Sequence, residues 1–402
     1  MTSIALITAF VAQRSLRLCY AQAANAMITA RFAPQEVSPP VSSPAFVGPE
    51  MSPLQLRDVT VANRVWMSPM AQYSAAPDGK PTDWHLVHYG ARAVGGAGLI
   101  MIEATAVGPS HRCTAADLGL WNEEQAAAHR RLTSFISEQG AVPAIQLQAA
   151  GRKGSHKLPW HGLGQNDPVR VGDGGWETIA PSTVPFGDLS LPQEASHADI
   201  DRTVADFAHS ATMARHAGYQ VVEIQASHGY ILHAFLSPLS NHRTDEYGGT
   251  LRNRMRFPLR VAQAVRKAFP AEKPVFVRIT ATDWVEGGIS VDEAAIFAKE
   301  LAAVGIDLLD VTSGVLLRDA QARPPARDGV HIEFADALKK ASGLPVAPVG
   351  QIADMSLAGE VVASGRADAV LMGRALLRDP YLVLHHRRDD HSSWPNQYHR
   401  AL

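Results

Sequence analysis

The stretch VEIQASHGYILHAFLSPLSNHRTDEYGG, residues 222–249, opens with the apolar residues of a buried strand and then breaks into polar side chains. Gln225, His228 and Tyr230 fall within six residues at that break. An amide, an imidazole and a phenol can each donate a hydrogen bond, and the phenol can also surrender a proton. Three such donors at the mouth of an apolar strand suit a site where negative charge gathers on an oxygen atom.

Two glycine-bearing stretches, VGQIAD (349–354) and MGRALLRDP (372–380), follow late apolar runs. Backbone N–H groups at Gly350 and Gly373, with the planar fork of Arg374, suit a phosphate. The plainer alternative is tight turning beside a solvated arginine. Gln146 and Arg278 lie inside otherwise apolar runs, where an unpaired polar group costs several kcal/mol. They require either an internal partner, such as Glu103 for Arg278, or a polar heterocycle facing them. Together with a phosphate site they suggest a nucleotide-like cofactor. HLVH (85–88) has helical spacing but carries no acidic companion within it, so it reads as core or surface histidines and no metal is expected. No GxSxG nucleophile elbow occurs.

The elements that must position these groups recur with a simple rhythm. Apolar runs lie at 65–69, 98–106, 142–148, 220–226, 275–280, 307–313, 345–350 and 368–373. Near-continuous hydrophobicity marks parallel strands covered on both faces. Amphipathic stretches separate them; in 197–218, Ile200, Val204, Phe207, Ala211 and Ala214 recur at helical steps and Gly218 occupies a C-cap position. Eight such units predict an α/β fold, a (β/α)8 TIM barrel in a single domain with a long loop, 149–195, after the third strand. The GGWETIAPSTVPFG within that loop suits an ordered hairpin or lid. An open dinucleotide-binding sheet is the rival, but GGAG (95–98) precedes a strand and lacks the GxGxxG spacing.

Composition narrows the function. The chain has 402 residues, 46% of them hydrophobic and 19% charged, with a net charge of −2. No excess of either sign points to nucleic acid or a membrane surface as partner. Two cysteines, Cys19 and Cys113, are too few for a disulfide framework, and a reducing, cytoplasmic setting fits. Residues 1–45 contain no acidic residue before Glu36 and end in a Pro- and Ser-rich run. They read as an extension, disordered or arising from a start codon called too far upstream. The alternative of a targeting peptide is opposed by Arg14 and Arg17 following the apolar run.

SPMAQYS (68–74), GGAGLIMIEATAV (95–107), DLGLW (117–121), GRK (151–153) and SHGYILHAFLSPLSNHRTDEYGG (227–249) resemble the Old Yellow Enzyme family. VGQIAD, MGRALLRDP and the terminal PNQYHRAL extend the resemblance, to a bacterial class like the xenobiotic reductases, over roughly residues 46–402. It implies an FMN-dependent barrel enzyme that takes hydride from NAD(P)H and reduces the activated C=C bond of α,β-unsaturated carbonyl compounds. Ser68, Pro69, Met70, Ala71, Ala104 and Gln146 would line the flavin, with Arg278 beside its N1–C2 carbonyl edge. Gly350, Gly373 and Arg374 would hold its phosphate. Tyr73, Gln225 and His228 would face the substrate, and Tyr230 would supply the proton. The C-terminal Arg400 would reach a neighbouring subunit's site, which implies a homodimer or higher homo-oligomer.

This chain departs from the family at three positions around the ring. Gln225 replaces a histidine and cannot become cationic, Ala71 replaces a flavin-tuning cysteine, and Ala149 replaces a histidine. These losses keep two alternatives open: a specialised biosynthetic flavoenzyme acting as dehydrogenase or isomerase on one substrate, and a non-catalytic flavin-binding relative.

Overall fold

The computed structural model describes residues 48–160, 167–319, 323–387, 390 and 394–401. The expectations for residues 1–45 therefore lie outside the described residues.

Eight parallel strands follow one another in chain order around a barrel. They are β1 (Val65–Met67), β2 (Leu99–Ala106), β3 (Val142–Gln148), β4 (Val221–Ala226), β5 (Val275–Thr280), β6 (Leu308–Thr312), β7 (Val346–Pro348) and β8 (Val370–Met372). Each coincides with a predicted run to within a few residues. β8 pairs with β1, and a parallel bridge between Val349 and Leu371 joins the β7 end to β8 and closes the ring. Helices cover the outside, including Asp83–Val94, Glu123–Glu138, His197–His216, Leu251–Ala268 and Val291–Ala303. His197–His216 starts with a reciprocal capping box between Ser196 and Asp199 and is followed by Gly218 at φ +92, the left-handed turn expected from its sequence. Among the described residues, no helix is long and apolar enough to cross a membrane.

The barrel interior is layered, because alternate residues of each strand point inward. Trp66, Leu99, Met101, Ala144, Val221 and Phe276 form part of an apolar plug, with Trp66 and Phe276 stacked 5.9 Å apart. A small antiparallel ribbon, Leu54–Leu56 with Val59–Val61, adds Leu56, Val59 and Val61 to the same cluster and covers the N-terminal end. Two residues further along, the same inward parity delivers Ser68, Gln146, Glu223, Arg278 and Asp310 as one polar layer toward the C-terminal ends. The apolar plug thus forms the floor and the polar layer the base of the site.

The long loop after β3 is ordered where described. Its Ile179–Ala180 pairs with Gln193–Glu194, but the pairing is parallel, so GGWETIAPSTVPFG does not form the expected hairpin. The dozen residues between the two segments loop around and return in the same direction. Arg152, 1% exposed, ties this loop across the barrel mouth, donating to the carbonyls of Leu316 (2.7 Å) and Val184 (3.3 Å).

Trp66 is fully buried in a cluster to which all eight barrel strands contribute. Trp66→Ala should lower unfolding free energy by roughly 3–5 kcal/mol, the usual cost of deleting a large buried aromatic. A urea midpoint unchanged from that of the parent would show that the plug is not what holds the barrel floor.

Candidate active site

All ten residues assigned to the cofactor line one cleft of about 460 Å³ at the C-terminal ends of the strands. Ser68, Pro69, Met70 and Ala71 follow β1, while Ala104 lies on β2, Gln146 on β3 and Arg278 on β5. Gly350, Gly373 and Arg374 follow β7 and β8. Gln225, His228 and Tyr230 line the same cleft. Tyr73 and Arg400 do not: Tyr73 packs edge-on against Trp160 at 5.8 Å, and Arg400 is exposed on the C-terminal turn Asn396–Ala401.

One end of the cleft suits a phosphate. Gly350 adopts φ +130, and a Cβ there would lie 2.5 Å from His331 Nδ1, so only glycine leaves the backbone in place. A Cβ on Gly373 would meet Met70 Sδ at 3.2 Å. Arg374 and Arg378, on the short helix Arg374–Arg378, both line this end. Neither guanidinium has a carboxylate partner among the described residues. Two uncompensated arginines and two glycine backbones fit a dianion. Arg378 was not singled out in the sequence, although its position four residues after Arg374 puts both on one helix face.

The middle of the cleft ends on Arg278. The Glu103 partner considered for it does not form. A β-bulge between Ile102 and Thr105 turns Glu103 to the covering helix, where His85 Nε2 lies 3.2 Å away and Tyr89 donates to it at 3.2 Å. The same contact gives His85 of HLVH an acidic companion that was not visible in local sequence, and makes it a core residue. Arg278 instead neighbours Asp310 in register on β6, with Nε 3.3 Å from Oδ2. That contact lacks the alignment of a hydrogen bond, so the guanidinium donates to no protein acceptor among the described residues. A buried cation whose N–H groups remain open to a cleft fits the polar edge of a flavin. Beneath it, Gln225 Nε2 donates to Gln146 Oε1 (3.2 Å), and Gln146 Nε2 donates to Glu223 Oε1 (2.6 Å). Burial raises the carboxyl pKa of Glu223 well above its ordinary value and that of Asp310 to about 6. Both acids are embedded in apolar runs, VVEIQA and LLDVT. That was a signal available in sequence and not read.

The other end is lined by proton-bearing groups. His228 adopts φ +56, and its Nε2 lies 3.0 Å from Thr312 Oγ1. Burial, with Arg278 and Lys153 nearby, holds its imidazole well below the ordinary range, so it is a neutral donor. Gln225 commits its carbonyl to Ser227 and one amide N–H to Gln146, which leaves one donor for the cleft. Tyr230 precedes the short helix Ile231–Leu236; burial raises its phenol far above the ordinary range and keeps the proton on. Its hydroxyl is hydrogen-bonded to the Cys113 thiol, whose own pKa burial also raises. Lys153, quoted above only as part of GRK, lies 5.1 Å from the centre of the Tyr230 ring and 4.2 Å from that of Phe186. It donates to the His228 carbonyl at 2.7 Å, and burial lowers its pKa to about 8.

The comparisons agree with this geometry. The profile of the NADH:flavin oxidoreductase / NADH oxidase family matches residues 51–390. The NADPH dehydrogenase of Bacillus subtilis (strain 168) is 40% identical over 335 residues, covering 83% of this chain and 92% of that one. That of Geobacillus thermodenitrificans (strain NG80-2) is 41% identical over 332 residues, covering 82% and 91%. Among solved structures, morphinone reductase superposes with a TM-score of 0.70 at 28% identity, covering 85% of this chain and 90% of that one. Matched by that profile over most of its length and about 40% identical to NADPH dehydrogenases, the chain belongs to the NADH:flavin oxidoreductase / NADH oxidase family and is an FMN oxidoreductase that draws its electrons from NAD(P)H.

Proposed function

We propose that this enzyme reduces the activated C=C bond of α,β-unsaturated carbonyl compounds. The observation that carries the reading is Tyr230, a phenol held protonated by burial, in the same cleft as the donors His228 and Gln225. FMN, held by Arg278, Arg374 and the backbones of Gly350 and Gly373, would supply the hydride-transfer chemistry between NAD(P)H and the substrate's β-carbon. The protein's part is to hold the carbonyl oxygen and to supply the α-proton. His228 and Gln225 offer neutral N–H donors where that oxygen gains negative charge, a weaker clamp than a cationic one by about half. Tyr230 gives up its proton at the α-carbon.

Lys153 offsets the cost of that step. Burial makes a tyrosinate expensive, and the Lys153 ammonium, 5.1 Å from the ring centre, opposes that cost; unit charges separated by about 5 Å at an effective dielectric of 20 attract by on the order of 3 kcal/mol. The clamp is thus neutral at the carbonyl and cationic behind the proton donor. At the substrate end, the exposed Arg400 is proposed to complete the cleft of a partner subunit in a homodimer, since it does not line its own.

The first test is anaerobic absorption spectroscopy of the purified protein. NADPH should bleach a flavin band, and a cyclohexenone or maleimide acceptor should restore it. Failure of such acceptors to reoxidise the bleached protein would overturn the ene-reductase reading while leaving the flavin assignment intact. Tyr230→Phe should slow reoxidation by cyclohexenone by roughly 10²–10⁴-fold, with bleaching by NADPH unchanged.

Lys153 loses its charge as pH rises through about 8, so reoxidation by the enone should fall above that pH. Lys153→Met should lower the rate roughly tenfold or more at pH 7 and remove that alkaline inflection; an inflection that persists would assign it to another group. Arg400→Ala should raise the enone KM with kcat nearly unchanged, and a KM equal to the parent's would argue against a shared site.

A further inference from the structure

The polar layer under the cleft contains more acid than base. Glu223 on β4 and Asp310 on β6 are both 0% exposed, and Arg278 on β5 lies between their strands. Arg278 is in register with Asp310, and Gln146 with Glu223; between β4 and β5 the register sets Glu223 opposite Phe276, two residues below Arg278, so Glu223 lies beneath the guanidinium. Glu223 Oε1 accepts from Gln146 Nε2 at 2.6 Å. Glu223 Oε2 and both Asp310 oxygens have no donor among the described residues, although the two carboxyl groups are in hydrogen-bond contact with each other. Two carboxylates cannot donate to one another, so the contact requires a proton between them. Charge leads to the same conclusion. One guanidinium compensates one carboxylate, and a second ionised acid at that depth would cost several kcal/mol.

We propose that Glu223 and Asp310 share a single proton beneath Arg278, Glu223 un-ionised and Asp310 ionised, and that this arrangement sets how much of Arg278's charge reaches the flavin. Burial acts in the same direction, pushing both carboxyl groups toward the protonated form. The other titratable groups facing Arg278 do not disturb the count, because burial keeps His228 and His331 neutral. With one proton present, the layer of Arg278, Asp310 and Glu223 carries no net charge. Reduced FMN would carry one more negative charge than oxidised FMN, and Arg278 would stabilise that charge only to the extent that Asp310 does not already neutralise it. The two acids are therefore positioning residues: they act on the cofactor through Arg278. The proposal rests on FMN occupying the cleft and not on which acceptor is reduced.

The test is the two-electron midpoint potential of the FMN holoprotein at pH 7, measured with its FMN affinity. Glu223→Gln keeps the shape and still offers an N–H to Asp310, so it should change the ratio of reduced to oxidised FMN affinity by less than about twofold. Adding Asp310→Asn leaves Arg278 without a counter-charge. It should favour reduced FMN by about tenfold or more, a positive shift of about 30 mV or more for a two-electron couple. A shift of that size in Glu223→Gln alone would mean that both acids are ionised, and no shift in the double variant would mean that the pair does not act on the flavin. Either result overturns the proposal. If the double variant fails to fold, infrared difference spectra of the parent against Glu223→Gln decide instead. A protonated carboxyl C=O band that shifts in D₂O and vanishes in the variant is expected, and its absence overturns the shared proton. That band can be sought in apoprotein as well, so a failure of FMN binding and a failure of the proton pair are separately visible.

Discussion

In a closed ring of parallel strands, each strand can present only alternate side chains to the inside, and those side chains must fill the interior. Every feature of the site follows from that constraint. At the N-terminal end the inward residues are Trp66, Leu99, Ala144, Val221 and Phe276, and they pack as a solid floor. One step further along the same strands, the inward residues are Ser68, Gln146, Glu223, Arg278 and Asp310. The floor excludes water from below, so the polar groups above it can meet their needs only through one another or through something bound in the cleft.

That isolation explains the electrostatics. Gln225, Gln146 and Glu223 form a chain of hydrogen bonds that uses up amide donors inside the barrel. Arg278 is left with its charge partly opposed by Asp310 and its N–H groups open upward. At the opposite side of the cleft the balance is reversed: the phenol of Tyr230, the thiol of Cys113 and the imidazole of His228 are all driven toward their neutral forms by burial, with Lys153 supplying the nearby positive charge. In the proposed reaction one cation would serve the cofactor and another the proton donor, with a neutral carbonyl clamp between them. The replacement of a histidine by Gln225 fits this division, since a further cation would have to be buried beside Arg278.

The loops complete what the strands begin. Arg152 reaches from the long loop after β3 to the carbonyl of Leu316 beyond β6, and the adjacent Lys153 is thereby brought over Tyr230. Residues distant in sequence become neighbours because the ring places the ends of β3, β4 and β6 around one opening. The C-terminal turn with Arg400 lies outside this arrangement.

Much of this was legible in the order of residues alone. Eight apolar runs without polar alternation determine parallel strands buried on both faces, and eight of them in sequence determine a barrel. Glycines at 350 and 373, the arginine at 374 and the GlnxxHisxTyr spacing at 225–230 pointed to the strand ends that line the cleft, because those residue types do little for an apolar core. Partners were another matter. Arg278 pairs with Asp310 and not Glu103 because a one-residue bulge in β2 turns Glu103 outward to His85 and Tyr89, and periodicity cannot reveal a bulge. The placement of Lys153 over Tyr230, and of Glu223 and Asp310 on either side of Arg278, depends on how far one strand is shifted against the next. Residue types and local spacing are properties of the chain; register across a closed barrel is set only when all eight strands pack together, and it is register that decided which charges meet.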